Sequence, residues 1–475
     1  MTKSVSIISP IDNSVVAERT LSSPKDISSA LEKSVQAQKQ WARYRIVERA
    51  EFCHKAIVYF EDNSDDIARE ITQQMGRPLQ YTAGEIKALA ERGRHMIAIA
   101  EEELSDIILD KQIAEKQTDE DQTCFTRFIR PTPLGVVLSI APWNYPYLTA
   151  VNSIIPALMA GNSVILKHSA QTLLCAERFA EAFQAVGLPE GVFQYLHLDH
   201  DSTASLIQQK AIAFISFTGS VAGGDAVEKS AAGLFKGVAL ELGGKDPAYV
   251  RQDANLTNAV ENLVDGAFFN SGQSCCGIER IYVHNTLYEE FVEQFVELVK
   301  QYRLGNPMEP ETNLGPMVNT KSAEFVRQQV DQAISQGATP CIDSQLFTAD
   351  KPGTPYLAPQ VLIDVDHSMD IMREESFGPV VGIMKVDSDE EAIQLMNDSA
   401  YGLTASLWTK DEDKAIELGN QLETGTVFMN RCDYLDPALA WVGVKDSGRG
   451  CALSRLGYQQ LTRPKSFHLK TSPTV

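Results

Sequence analysis

The chain has 475 residues, 44% of them hydrophobic and 22% charged, which is the balance of a folded globular protein too long for a single core. A formal net charge of -21 and the absence of any Lys/Arg run argue against a phosphate-binding surface, so no nucleic-acid partner is expected. The N-terminus lacks the apolar core of a signal peptide. The most apolar stretch, 134–166, is broken by Pro142, Asn144, Pro146, Asn152, Pro156 and Gly161, which denies a bilayer the ~20 apolar residues it needs, so no membrane span is expected.

The eight cysteines show no metal-ligand spacing, and no metal site is expected. A disulfide framework does not suit so long a chain without a secretion signal, which makes the cytoplasm the expected compartment.

In chain order, residues 24–105 read as helical. Pro24 and Asp26 mark a start, Ile27, Leu31 and Val35 follow at helical spacing, and over 48–74 Ala56, Ile57, Phe60, Ile67 and Ile71 share one stripe. After the acidic Asp119-Glu120-Asp121, residues 123–129 turn β-like, and a ribbon formed with the β-like segment 465–470 would suit an oligomer contact better than a core. From Leu134 strands and helices alternate: strand 136–140, helix 151–159, strand 163–166, helix 173–186, strand 213–217. Beyond Gly243-Gly244 a helical face of Leu256, Val260, Leu263 and Ala267 precedes the strand 281–283. This alternation predicts βαβ units and parallel sheets in two α/β domains with a seam at Gly243-Gly244.

Four segments carry candidate chemistry. Phe269-Asn270-Ser271-Gly272-Gln273-Ser274-Cys275-Cys276 places a thiol in a small polar loop that substrate can reach, although a lone cysteine is more often an inert core residue. Leu240-Glu241-Leu242-Gly243-Gly244-Lys245 desolvates a carboxylate on both sides, which raises its pKa toward that of a general base; the plain alternative pairs Glu241 with Lys245. Ala141-Pro142-Trp143-Asn144-Tyr145-Pro146 fixes an amide that can donate to an oxyanion, or is simply a rigid turn. Phe217-Thr218-Gly219-Ser220-Val221-Ala222-Gly223-Gly224 follows a strand and opens a helix, a setting able to hold a pyrophosphate, without being the G-x-G-x-x-G fingerprint.

In chain order these elements run Asn144, Lys167, Gly219-Ser220, Glu241 and Cys275, and together they closely resemble the aldehyde dehydrogenase superfamily. The likeness continues through Glu374-Glu375-Ser376-Phe377-Gly378-Pro379, Tyr401-Gly402-Leu403, Gly425-Thr426-Val427-Phe428-Met429-Asn430 and Gly443-Val444-Lys445-Asp446-Ser447-Gly448, and runs from about residue 5 to about 470. It implies an aldehyde dehydrogenase-like α/β fold: an NAD(P)-binding domain of 1–106 and 134–243, a catalytic domain of 244–446, and an oligomerisation ribbon with C-terminal tail from 107–133 and 447–475. It also implies a homodimer or homotetramer acting on a small-molecule aldehyde.

By the same resemblance Cys275 is the nucleophile, Asn144 the donor to the oxyanion, and Glu241 the base for the hydrolytic water. Lys167 is the contact to the adenosine ribose, Gly219 and Ser220 form the pyrophosphate turn, and Glu375 holds the nicotinamide ribose. Further cofactor contacts are implied for Trp143, Ala170, Gly224, Leu242 and Phe377, and a substrate pocket for Tyr145, Phe269, Ser274, Cys276, Asp433 and Trp441. Tyr145 and Trp441 match an aromatic box of relatives acting on aminoaldehydes, with Asp433 as countercharge. Asn152 stands where those relatives have a further Trp, and an aromatic-lined pocket for neutral aldehydes is the favoured expectation.

The chain also departs from the pattern. Lys167-His168-Ser169-Ala170 replaces Lys-Pro-Ser-Glu, and without a carboxylate at Ala170 a 2′-phosphate meets no like charge, which leaves NAD and NADP both open. Ala440-Trp441-Val442 stands for Pro-Phe-Gly, and Ala452 for a Glu common near the nucleophile. Two rivals are a CoA-acylating relative, which usually lacks the base at Glu241, and a catalytically silent protein on the same fold, which would be expected to lose Cys275 or Glu241.

Overall fold

The structure, a computed structural model, describes residues 3–109, 112–113 and 124–471. The acidic turn at 119–121 and Thr123 lie outside the described residues. A hairpin, Ser4–Ile8 with Val15–Thr20, leads into four helices, Pro24–Trp41, Ile46–Asp62, Ser64–Met75 and Leu79–Glu103. The first begins as expected: Ser23 Oγ accepts from Asp26 N at 3.3 Å while Asp26 Oδ2 accepts from Ser23 N at 2.9 Å, a reciprocal cap. The stripe over 48–74 is not one helix. Asn63 breaks it, its φ of -108° and ψ of 16° leaving the helical region and its Nδ2 donating to Tyr59 O at 2.7 Å. Ala56, Ile57, Phe60, Ile67 and Ile71 nevertheless enter the same core, so the apolar period survives the bend.

A six-stranded sheet runs Gly448–Arg449, Gly237–Glu241, Ile212–Thr218, Val136–Ala141, Ser163–His168, Phe193–Tyr195, parallel except for the first strand. Val136–Ala141 is buried along its whole length, as a central parallel strand with both faces covered must be. The helix expected at 151–159 begins earlier, at Pro146, where the proline ring's fixed φ suits the first helical turn.

Over residues 242–245 the chain crosses to a seven-stranded sheet that includes Asp246–Val250, Ile278–His284, Val380–Val386 and Thr404–Trp408. Cys124–Pro133 and Thr462–Thr471 form the expected antiparallel ribbon, in register from Thr462 opposite Pro133 to Thr471 opposite Cys124, with the Phe128 and Phe467 rings stacked at 4.5 Å. Before the last strand, Gly448–Arg449 joins the six-stranded sheet and Tyr458 Oη donates to Met96 O at 2.5 Å, so residues 448–460 pack with the first layer.

Candidate active site

Cys275 lies between the helix Leu256–Phe268 and the strand Ile278–His284. The approach to it is left-handed at three successive residues, Asn270 (φ 53°), Ser271 (φ 56°) and Gly272 (φ 68°). For a non-glycine residue that conformation costs of order 1–3 kcal/mol, so the surroundings must hold it. Asn270 Oδ1 accepts from Arg77 Nε at 3.1 Å, Ser271 Oγ donates to Gly315 O at 2.8 Å, and Gln273 Oε1 accepts from Val318 N at 2.7 Å. The loop is thereby fixed from three sides, and the half-buried Cys275 opens on a cavity of about 260 Å³.

Glu241 ends the strand Gly237–Glu241, and alternation along the strand decides where it points. Leu240 and Leu242 are buried in the helix-covered core, which leaves the carboxylate between them facing the cavity of Cys275. Its Oε2 accepts from Thr218 Oγ1 on the neighbouring strand at 2.9 Å. Burial pushes its pKa up to about 7, against the opposing pull of Thr218 and Arg92.

Lys245 does not pair with Glu241. Its Nζ lies 2.5 Å from Glu279 Oε2 and 3.0 Å from Ser376 Oγ, fully buried on the far side of the two glycines. Glu279 also accepts from Ser376 N and Phe377 N, which positions Glu375. Glu375 Oε1 in turn accepts from Gly244 N at 3.0 Å, and burial together with the nearby Glu279 raises its pKa to about 7. The glycines are there for close approach. A Cβ on Gly243 would lie 2.5 Å from Glu375 Oε2, and one on Gly244 2.3 Å from the carbonyl oxygen of Cys275. Gly244→Ala is therefore expected to displace the nucleophile loop and lower kcat by about 100-fold, the effect of a misplacement near 1 Å. Steady-state kinetics beside a thermal melt checks this, since unfolding would lower the melting temperature and active protein together.

Asn144 is buried, and its Nδ2 donates to Gln273 O at 3.2 Å, two residues before Cys275. Its carbonyl accepts from Arg77 Nη2 and from Asn270 Nδ2. Arg77 in turn pairs with Glu85 at 2.6 Å and stacks its guanidinium 4.4 Å from the centre of the Tyr145 ring. Tyr145, Phe269, Ser274, Cys276, Asp433 and Trp441 all line the cavity of Cys275 and Glu241.

Thr218 also lines a second cavity of about 350 Å³ with Trp143, Lys167, Ser169, Gly219 and Ser220. Ser220 caps the helix Val221–Ala231, its Oγ accepting from Gly223 N at 3.2 Å, and continues into a third cleft of about 410 Å³ that reaches Glu375. Of the expected cofactor residues, Trp143, Lys167, Gly219, Ser220 and Glu375 line these two clefts, and Ala170, Gly224, Leu242 and Phe377 do not. Gly224 and Leu242 pack on each other, a Cβ at 224 falling 2.6 Å from Leu242 Cδ2, and Ala170 is exposed beside the groove. Phe377 meets Trp143 edge to face at 5.7 Å. His168, which departs from the family's proline, is buried neutral with its pKa lowered to about 4, and ties this strand end to Pro146 O at 3.0 Å.

The aldehyde dehydrogenase family model matches residues 1–467. The chain belongs to the aldehyde dehydrogenase family. An aldehyde dehydrogenase of Paenarthrobacter nicotinovorans is 34% identical over 443 residues, covering 93% of this chain and 94% of that one. An NAD(P)+-dependent succinate semialdehyde dehydrogenase of Escherichia coli is 32% identical, with 92% and 91% covered. Among solved structures, the succinic semialdehyde dehydrogenase of Streptococcus pyogenes in complex with NADP+ superposes with a TM-score of 0.91 at 27% identity, over 98% of this chain and 100% of that one.

Within this aldehyde dehydrogenase fold, the reading of the sequence missed Arg77, Glu85, Thr218, Glu279 and Arg92. Arg77, Glu85 and Arg92 come from the helical N-terminal region, where a charged residue reads as solvated surface. A buried charge leaves no mark in apolar periodicity.

Proposed function

We propose that this protein oxidises an aldehyde to a carboxylate with NAD+ or NADP+ through a thioester on Cys275. The observation that carries the reading is that the Cys275 thiol and the Glu241 carboxylate open on one cavity, which meets the Lys167 groove at Thr218. In this reading the Cys275 thiolate adds to the carbonyl carbon, and Asn144 Nδ2 with the backbone N–H of Cys275 steadies the oxyanion; one such donor is typically worth ~3 kcal/mol. A nicotinamide bound beside the cavity supplies the acceptor for the hydride that leaves as the carbonyl re-forms. Glu241 then takes a proton from water, the hydroxide attacks the thioester, and the C–S bond breaks to return the thiolate and release the acid.

The groove fits a dinucleotide. Lys167 Nζ has no hydrogen-bond or ion-pair partner among the described residues, and burial lowers its pKa. A Cβ on Gly219 would lie 2.7 Å from the Phe217 ring, so the turn leaves its backbone open before the helix N-terminus at Ser220. Lys167 and Ser169 would hold the adenosine ribose, Gly219 and Ser220 the pyrophosphate, and Glu375 the nicotinamide ribose. Ala170→Glu is expected to lower the NADP/NAD ratio of kcat/KM by at least about 10-fold through like-charge repulsion. Steady-state kinetics with both cofactors tests it, and an unchanged ratio would mean that Ala170 lies off the 2′-phosphate.

We divide the chain as the family resemblance implies, into a cofactor-binding part of 1–106 and 134–243, a catalytic part of 244–446 and an oligomer ribbon. Ile107 and Ile108, 57% and 72% exposed beside the ribbon, and its open outer strand support a homodimer or homotetramer contact there. The compartment we propose is the cytoplasm, supported by seven described cysteines that are all unpaired. An aldehyde panel read by NAD(P)H absorbance tests the function: aldehyde-dependent reduction supports it, and none with any aldehyde contradicts it.

A further inference from the structure

The cavity of Cys275 holds a cation. Arg92, on the helix Leu79–Glu103, is 8% exposed and lines that cavity beside Asn152, Asp433 and Trp441. Its Nη1 donates to Asn152 Oδ1 at 3.3 Å and to Leu148 O at 3.5 Å, both uncharged acceptors. It forms no ion pair among the described residues.

Three of the acids around it are engaged elsewhere. Glu85 pairs with Arg77 at 2.6 Å, Glu241 accepts from Thr218 at 2.9 Å, and Asp433 Oδ1 accepts from Ser274 Oγ at 3.0 Å and Cys276 Sγ at 2.9 Å. Asp265, also on the cavity wall, makes no ion pair with Arg92. A guanidinium taken out of water without a counterion is costly, and its planar fork of donors matches a carboxylate. Its Nε and Nη2 are not among the buried polar atoms left without a partner, so they keep contact with open space.

We propose that Arg92 binds a carboxylate on the substrate, so that the aldehydes this site prefers are semialdehydes of short dicarboxylic acids. The inference rests on the aldehyde oxidation proposed above and sets its substrate class. The same charge repels an aminoaldehyde, and of the two aspartates on the cavity wall Asp433 is already bonded to Ser274 and Cys276. It also replaces the expectation of a pocket for neutral aldehydes.

The test compares kcat/KM for 4-oxobutanoate with that for its uncharged amide, 4-oxobutanamide, in the wild type, Arg92→Gln and Arg92→Lys. The wild type is expected to favour the carboxylate by roughly 100-fold, the scale of a charge-assisted hydrogen-bonded pair out of water. Arg92→Gln should bring the ratio near one, chiefly by raising KM for the anion, and Arg92→Lys should keep an intermediate ratio. A wild-type ratio near one, or an unchanged ratio in Arg92→Gln, overturns the role of Arg92 while turnover of the amide leaves the oxidation standing. The wild-type ratio decides the matter even if the Gln variant fails to fold. No NAD(P)H from either compound overturns the oxidation and this inference with it.

Discussion

Cys275→Ala abolishes aldehyde-dependent NAD(P)H formation, with a loss of at least about 10⁴-fold, the usual scale for removing a covalent nucleophile. Cys276→Ala loses no more than about 5-fold, the scale of one hydrogen bond, because its thiol contributes packing and a hydrogen bond and no covalent step. The two neighbours sit in unlike surroundings. Cys275 is half-buried and faces the cavity, whereas Cys276 is 2% exposed and its Sγ donates to Asp433 Oδ1 at 2.9 Å. The adjacent Cys275, burial and Asp433 all push the Cys276 thiol far above its ordinary range, which keeps it protonated and unreactive. Steady-state kinetics of both variants decides between them, and equal losses would remove the assignment.

Glu241→Gln separates the two halves of the reaction. The variant is expected to give one rapid turnover of NAD(P)H per site, after which steady-state turnover falls by about 10³-fold, the middle of what a positioned general base supplies. Gln keeps the side chain's volume and can still meet Thr218, so a folding defect is not the expected cause. In the wild type, hydrolysis requires the carboxylate ionised. With its pKa raised to about 7, deacylation should rise with pH up to about 7 and level off above it. Glu375 is raised to about 7 as well, so the limb is read on hydrolysis of a preformed thioester, after the hydride has left. Loss of the burst itself would place Glu241 before the thioester.

How far the sequence could be read depends on the kind of signal. Strand 136–140 was legible because a buried parallel strand is a continuous apolar run, and the extended segment 124–129 because Phe125, Thr126, Phe128 and Ile129 cluster there. The break at Asn63 was hidden because the apolar period continues across it into one core. The residues proposed as catalytic were legible through motif order alone. Taken singly, the cysteine loop and Glu241 have ordinary structural readings, and the Lys245 pairing expected from adjacency is replaced by a contact to Glu279, 34 residues away. The ion pair of Arg77 with Glu85 and the lone Arg92 were not legible, because long-range charge contacts leave no local pattern. The same limit bears on the substrate class: the aromatic residues of the pocket are visible in motifs, and its cation is not.

The most direct test of the account is mass spectrometry of Glu241→Gln quenched after exposure to an aldehyde and NAD(P)+. The account predicts a covalent acyl group, two hydrogens lighter than the simple aldehyde adduct, on the Cys275 thiol and not on Cys276, in amounts equal to the NAD(P)H released. Stoichiometric NAD(P)H with an unmodified Cys275, or the acyl group on another residue, would contradict it.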